Sequence, residues 1–283
     1  MITTISNSIL TAQIKHIGAE LFSLKNSSNK EYIWNGNPTY WGKHSPVLFP
    51  IVGTLKNNTY QYENAEYQLS RHGFAREMEF ELIDKQENSA TFSLLSTPAT
   101  KEKYPFDFEL HLIYTIENNS LKLEYKVFNN GKTRMPFSIG AHPAFDLPGN
   151  FENYSLLFEK EAPLQYYLLE DGLISKTTND LPLNKNQLQL NYKLFENDAL
   201  VFKKIDPKTI TILENSKPFL KVSYADFPDL GIWTPPNAPF ICIEPWFGYS
   251  DTVDQFGSLL NKEGIQILEA KATFHSTFSI EII

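Results

Sequence analysis

Two segments of the chain place ionisable side chains directly after short apolar runs. His142 lies in FSIGAHPAF (residues 137–145), after two small residues and before a proline. Glu244 lies in FICIEPWFGYSD (residues 240–251), where it ends an apolar run. Functional residues concentrate where strands give way to loops, so this imidazole and this carboxyl group could act as a general acid and a general base. Apolar surroundings would raise the pKa of Glu244 toward that of a useful base.

A third segment, RHGFAR (residues 71–76), holds two guanidinium groups and an imidazole beside a flexible glycine. Trp233, which precedes a Thr-Pro-Pro sequence, is a candidate aromatic platform for a bound ligand. Each feature alone also has an ordinary structural explanation. A buried histidine needs only hydrogen-bond partners, a strand-end glutamate is commonly solvated, the arginines could be surface charges, and the tryptophan could fill a packed corner.

Alternating apolar and polar residues predict β-strands along the whole chain. The pattern is clearest in FDFELHLIYTI (residues 106–116) and LKLEYKVF (residues 121–128), which ENNS (residues 117–120) separates. An Asn-Asn pair tolerates the left-handed backbone of a tight turn, so these two runs are predicted to form a hairpin. Further strands are predicted at residues 154–159, 165–169, 199–204, 209–213, 219–224, 230–234, 240–243, 265–269 and 273–282.

The number of candidate strands exceeds the usual size of one twisted open sheet. Two packed sheets accommodate them, so the prediction is an all-β fold, a large antiparallel β-sandwich forming a single domain over residues 1–283. Helical periodicity is nearly absent. One short helix is predicted over residues 252–261, and the polar stretch over residues 173–191 is expected to be a long loop.

Composition excludes several classes of protein. The 283 residues carry a formal net charge of −8, which argues against a nucleic-acid binder that needs a basic footprint. No apolar run approaches the roughly 18 residues of a membrane span, and the N-terminus lacks the pattern of a signal peptide. A cytoplasmic location is therefore expected. The single cysteine, Cys242, rules out an internal disulfide framework and a multi-cysteine zinc site.

Five motifs, taken in order, resemble those of the aldose 1-epimerase family, the galactose mutarotase-like proteins, and are closest to its less studied bacterial branch. They are LFPIVG (residues 48–53), RHGFAR, FSIGAHPAF, NDALVF (residues 197–202) and ICIEPW (residues 241–246). The resemblance extends over essentially the whole chain. It implies a large β-sandwich and the cofactor-free interconversion of the α and β anomers of a free aldose such as galactose or glucose. We expect the protein to be a monomer or homodimer.

The resemblance also implies roles for single residues. His142 matches the family's general acid and Glu244 its general base. His72 matches a second histidine that binds and polarises the sugar near the ring oxygen. Asp198, in NDALVF, matches an aspartate that holds sugar hydroxyl groups.

One departure from the family pattern concerns arginine. The better studied mutarotases carry an arginine in a Gly-Arg segment upstream of the first histidine, whereas LFPIVG contains none. Arg76 or Arg71 is therefore expected to contact the sugar in its place. Trp233 completes the set of candidate substrate-binding residues.

The residues suit the reaction. Opening a cyclic aldose requires removal of a proton from the hydroxyl group on C1 and delivery of a proton to the ring oxygen. With ordinary pKa values of about 4.3 for Glu and 6.5 for His, Glu244 is expected to be ionised near neutral pH and to help keep His142 protonated. No nucleophile, metal or nucleotide is needed, and the chain has neither a glycine-rich phosphate loop nor an H-E-x-x-H motif.

Three other functions fit some of the same residues. A binding protein could hold a carbohydrate in the same sandwich without converting it. A glycoside-acting enzyme needs two carboxylates, which Glu244 and Asp198 could supply. A mutarotase acting on a hexose phosphate could use Arg71, Arg76 and Lys43 to hold the phosphate group.

Overall fold

The computed structural model describes residues 1–255 and 257–283. Within them the chain is built almost entirely of antiparallel strands, as the alternating sequence pattern predicts. In chain order the strands are β1 (Ile2–Ser6), β2 (Leu10–Lys15), β3 (Leu21–Asn26), β4 (Val47–Leu48), β5 (Thr59–Tyr62), β6 (Ala65–Gln68), β7 (Glu81–Lys85), β8 (Ser89–Leu95), β9 (Phe108–Glu117), β10 (Ser120–Asn129), β11 (Met135–Phe137), β12 (Ile139–Ala141), β13 (Ala144–Asp146), β14 (Tyr154–Phe158), β15 (Gln165–Glu170), β16 (Leu173–Asp180), β17 (Gln187–Gln189), β18 (Leu200–Phe202), β19 (Thr209–Glu214), β20 (Lys217–Ser223), β21 (Asp229–Trp233), β22 (Phe240–Phe247), β23 (Gln266–Leu268) and β24 (Thr273–Ile282).

Helix is confined to short turns in the described residues. The α-helix α1 covers Pro98–Lys101, and 3-10 turns occur at Lys56–Asn58, Ala75–Glu77, Phe151–Asn153, Tyr192–Phe195 and Leu259–Asn261. No helix in the described part of the chain is long and apolar enough to cross a bilayer.

The larger sheet has nine strands in the order β17-β14-β19-β20-β24-β10-β9-β8-β7. At its centre, β9 and β10 bury every second residue, so one face is apolar and the other polar. The predicted hairpin is confirmed. The two strands pair from Phe108 opposite Asn129 to Glu117 opposite Ser120, and Asn118 in the turn has a φ of 53°.

The second sheet has seven strands in the path β16-β15-β18-β21-β22-β12-β4, and β13 pairs with β22 as the eighth. The inner faces of both sheets contribute to one core, in which Leu110 and Leu112 of β9 join Ile241 and Ile243 of β22. The predicted all-β antiparallel sandwich is therefore confirmed.

The expected long loop over residues 173–191 is wrong. β16 pairs with β15, and β17 pairs with β14 at the edge of the larger sheet. Polar residues mark these strands because both lie at sheet edges, where solvent replaces one set of neighbours.

The helix predicted over residues 252–261 includes Phe256, which lies outside the described residues. The rest of this stretch is not α-helical. Its backbone bonds to other segments: the N–H of Val253 donates to the carbonyl of Ile174 at 3.0 Å, and the carbonyl of Gly257 accepts from the N–H of Gln61 at 2.8 Å. These pairings compete with the i to i−4 bonds that a helix needs, and a 3-10 turn forms at its end, Leu259–Asn261.

Candidate active site

A cleft of about 360 Å³ opens on the face of the second sheet that is turned away from the main core. Strand β22 defines the two faces: Glu244 and Trp246 line the cleft, whereas Ile241 and Ile243 belong to the core. The volume is that of a site for a small molecule. The cleft lining includes all seven residues that the sequence singled out: Arg71, His72, Arg76, His142, Asp198, Trp233 and Glu244.

His142 and Glu244 form a buried pair in the cleft. His142 directly follows β12 and Glu244 lies in β22, and these two strands pair with each other. The pairing brings Nε2 of His142 to 3.2 Å from Oε2 of Glu244. The side chains are only 10% and 2% exposed. Neighbouring strands thus join two residues that are a hundred positions apart in the sequence.

Burial changes the pKa values of both members of this pair. Burial lowers the pKa of His142 to about 3, and burial raises the pKa of Glu244 well above its usual range. Both shifts favour a neutral imidazole beside a protonated carboxyl group. The loss of solvation therefore opposes the ion pair that the sequence predicts for these residues. The ion pair and the neutral pair differ only in whether the transferable proton is on His142 or on Glu244.

His72 is held by the backbone of the LFPIVG segment. The N–H of Gly53 donates to Nδ1 of His72 at 3.1 Å, and the N–H of His72 donates to the carbonyl of Gly53 at 2.8 Å. His72 has a φ of 68°, in the left-handed region that few non-glycine residues adopt. Such strain persists where the surrounding structure imposes it, often at functional sites.

Two N–H donors face the ring of His72. The N–H of Gly53 donates to Nδ1 at 3.1 Å, and Nε–H of Arg71 donates to Nε2 at 3.2 Å. Burial lowers the pKa of His72 well below its usual range, so the ring is neutral. Because a neutral imidazole accepts at one nitrogen and donates at the other, the ring can accept only one of these two bonds at a time.

The remaining polar residues lie toward the mouth of the cleft. A guanidinium nitrogen of Arg71 is 4.0 Å from Oδ2 of Asp198, and the Arg71 side chain is half-exposed. Arg76 lies deeper and donates to the carbonyl of Arg71 at 2.9 Å. Asp198, like His72, has a left-handed backbone, with a φ of 76°. Both arginines thus line the cleft, and their expected contact with the sugar stays a prediction.

The model of the aldose 1-epimerase family matches residues 1–265 of the chain. The chain belongs to the aldose 1-epimerase family. The predicted family is thereby confirmed, and membership supports sugar epimerase chemistry in general terms.

Relatives of this aldose 1-epimerase family member match over the full length. The plasmid-encoded protein LacX of Lactococcus lactis subsp. lactis is 34% identical over 299 aligned positions, covering 100% of both chains. A galactose mutarotase related enzyme from Lactobacillus acidophilus has a TM-score of 0.96 at 33% identity, covering 100% of this chain and 97% of its own. A galactose mutarotase-like protein from Lactobacillus casei has a TM-score of 0.95 at 31% identity and full coverage of both chains.

Two further tryptophans line the cleft beyond the seven residues that the sequence singles out. Trp41 lies in the irregular segment between β3 and β4 and stacks on His142, with ring centroids 4.8 Å apart and planes at 25°. It also contacts Trp233 edge-on at 5.9 Å. No periodic pattern surrounds Trp41, so only the folded chain reveals its place. Trp246 stands in the ICIEPW motif, two residues after Glu244, and that spacing puts both side chains on one face of a strand.

One group of potential metal ligands occurs among the described residues. Ligand atoms of His142, Cys242 and Glu244 lie within 4.8 Å of one another. Cys242 is fully buried, and burial raises the pKa of its thiol well above the usual value. Because the thiolate is the form that binds metal, this donor set does not favour a resident cation.

Proposed function

We propose that the protein is an aldose 1-epimerase that interconverts the α and β anomers of a free aldohexose such as galactose or glucose. The observation that carries this proposal is the contact of 3.2 Å between His142 Nε2 and Glu244 Oε2 inside a cleft of sugar size. Mutarotation needs one proton removed and one delivered at neighbouring oxygens. A carboxyl group and an imidazole in contact can perform both transfers.

The His142–Glu244 pair has one transferable proton, and its movement accounts for the ring-opening and ring-closing steps. In the ring-opening step, ionised Glu244 takes the proton of the C1 hydroxyl group while protonated His142 gives its proton to the ring oxygen. The pair then holds its proton on Glu244, which is the neutral arrangement that burial favours. Ring closure reverses both transfers. The catalytic pair therefore alternates between two arrangements of one proton and ends each cycle unchanged.

Rotation about the C1–C2 bond separates opening from closure, so the rest of the sugar must stay fixed while C1 turns. Asp198 can accept hydrogen bonds from sugar hydroxyl groups, and the guanidinium groups of Arg71 and Arg76 can donate to them. The imidazole of His72, which lines the cleft beside Arg71, can form a hydrogen bond with the ring oxygen or with the oxygen on C1. Trp41 and Trp233 form an aromatic wall next to His142.

Polarimetry tests the proposal. Freshly dissolved α-D-galactose and α-D-glucose are followed with wild-type protein, with the Glu244→Gln variant and without protein. Acceleration that the variant loses supports the proposal. Sugar binding that survives the substitution, with no acceleration by either protein, would instead identify a carbohydrate-binding protein.

A phosphorylated aldose is a second candidate substrate, favoured by the half-exposed guanidinium of Arg71 at the cleft. Arginine binds phosphate through two parallel hydrogen bonds. Lys43, which the sequence also offers as a phosphate-binding cation, pairs with Glu77 at 3.1 Å instead. Comparing galactose with galactose 6-phosphate decides between the substrates: Arg71→Met should raise the KM of the phosphate ester far more than that of the free sugar if the ester is the substrate.

A further inference from the structure

The indole of Trp246 lies in a slot made by glycines of two neighbouring strands. A Cβ atom at Gly231 in β21 would overlap Cη2 and Cζ2 of the ring, and one at Gly140 in β12 would lie 2.5 Å from Cδ1. The ring therefore covers both positions, and Trp246 is only 5% exposed. Glycine inside a strand weakens the sheet and marks a place where another group approaches closely.

The slot directs the ring toward Glu244. Gly231 is the partner of Glu244 in the pairing of β21 with β22, and Gly140 is the partner of Trp246 in the pairing of β12 with β22. The benzene portion of the indole thus extends along β22 to the level of Glu244, on the cleft face. Any larger residue at position 231 would push the ring away from that carboxyl group.

The indole N–H of Trp246 and one carboxyl oxygen of Glu244 both lack a hydrogen-bond partner among residues 1–255 and 257–283. Nε1 of Trp246 and Oε2 of Glu244 are buried atoms without a bond of acceptable geometry. An indole N–H can only donate, and buried tryptophans usually find an acceptor. The nearby carboxylate is such an acceptor once it is ionised.

Other charged or ionisable groups also face Glu244. They are His142 at 3.2 Å, the thiol of Cys242, the guanidinium of Arg71 and the carboxylate of Asp198. Burial is the strongest influence and raises the pKa of Glu244. The charge of Arg71 lowers the pKa of Glu244 and the charge of Asp198 raises it. The nearby N–H of Trp246 also lowers that pKa, although its contact with the carboxyl group falls outside good hydrogen-bond geometry. Trp246 is the neutral donor in this set, so its effect depends on contact rather than on charge.

We propose that Trp246 is a positioning residue that donates its indole N–H to the carboxylate of Glu244 and so favours the ionised form of the base. The glycine slot holds the ring in place for this bond. The inference rests on the proposed function in one respect, the role of Glu244 as base. The hydrogen bond itself can be tested without any turnover.

The direct test follows the ¹H–¹⁵N resonances of the tryptophan indoles in the full chain from about pH 4 to 9, a range that spans a raised carboxyl pKa. The Trp246 signal is the one missing in Trp246→Phe; if that variant does not fold, Trp34→Phe, Trp41→Phe and Trp233→Phe assign it by elimination. We expect the signal to shift with pH in the wild type and to stay constant in Glu244→Gln. A signal that does not shift, or that shifts equally in Glu244→Gln, overturns the proposal.

Kinetics provides the second test. Trp246→Phe keeps an aromatic ring in the slot and removes the N–H donor together with part of the ring. Because the carboxylate loses stabilisation, the acidic limb of kcat/KM should move upward by about one pH unit, a loss of about tenfold below the limb, with KM little changed. An acidic limb that stays in place overturns the inference. A wild type without anomer exchange defeats the proposed function instead, and the indole titration still decides whether the bond exists.

Discussion

His142 Nε2 lies 3.2 Å from Glu244 Oε2 in a cleft where both side chains are almost completely buried. The contact exists because β12 and β22 pair, which makes the geometry of the pair a property of the sheet rather than of a loop. A sheet positions side chains more rigidly than a loop does, and acid–base catalysis depends on such positioning.

Removing either member of the pair should abolish most of the activity. We expect Glu244→Gln and His142→Asn each to lower kcat by about 10²- to 10⁴-fold, the usual contribution of a positioned acid or base. Polarimetry measures the loss. Glu109 and His111 offer a matched control. They form a Glu–His contact of 2.6 Å on β9, and neither residue lines the cleft. Activity lost equally in Glu109→Gln and His111→Asn would show a general effect on folding.

The buried carboxyl group should also make stability depend on pH. The pKa of Glu244 in the folded protein is raised above its ordinary value of 4.5, so the stabilisation of the neutral form is present below pH 4.5 and is lost as the pH rises through the folded pKa. Glu244→Gln cannot ionise. We therefore expect its Tm to exceed that of the wild type increasingly as the pH rises, by about 2–4 °C per kcal/mol, in calorimetric scans. A constant difference across the pH range would contradict this.

The buried imidazole of His142 should make stability depend on pH below neutrality. Its pKa is lowered to about 3 in the folded protein, so its contribution is present above pH 6.5 and is lost as the pH falls toward about 3. His142→Asn should therefore lose less stability between pH 6.5 and pH 4 than the wild type does. Denaturant unfolding at several pH values measures this difference, and parallel curves for the two proteins would refute it.

The fold and much of the site could be predicted from the sequence. Period-two alternation identifies β9 and β10 because each has one face in the core. The ICIEPW and GAHP motifs identify Glu244 and His142, since polar groups interrupt apolar runs there. The edge strand β16 was missed because it is solvated and carries no such alternation.

What could not be predicted depends on contacts between distant segments. Trp41 contacts His142 only in the folded chain, and the residues around position 41 show no periodic hydrophobic pattern. The pKa shifts of His142 and Glu244 depend on burial, which sequence motifs do not quantify. The hydrogen bond from Gly53 to His72 joins two motifs whose pairing appears only in three dimensions.

Trp41 should support His142 through the face of its ring. Aromatic contacts contribute about 0.5–1.5 kcal/mol beyond the area they bury, which corresponds to roughly 2- to 10-fold in rate if the contact strengthens as His142 becomes charged. We expect Trp41→Leu to lose kcat by that factor and Trp41→Phe to lose less. Equal loss of kcat in both variants would mean that a feature of the indole other than its stacked aromatic face supports His142.

Gly231 has no side chain, and the space this leaves is occupied by the ring of Trp246 beside Glu244. Gly231→Ala forces the ring to shift, and such overpacking costs about 1–3 kcal/mol of stability. We expect a lower Tm and a loss of kcat that exceeds what the loss of folded protein explains, since the base loses its neighbour as well. Gly42→Ala is the matched control: its Cβ would meet nothing closer than 3.8 Å, so its stability should change by less than about 0.5 kcal/mol. Normal kcat in Gly231→Ala, at a reduced Tm, would mean that the glycine serves packing alone and that the position of the indole does not affect Glu244.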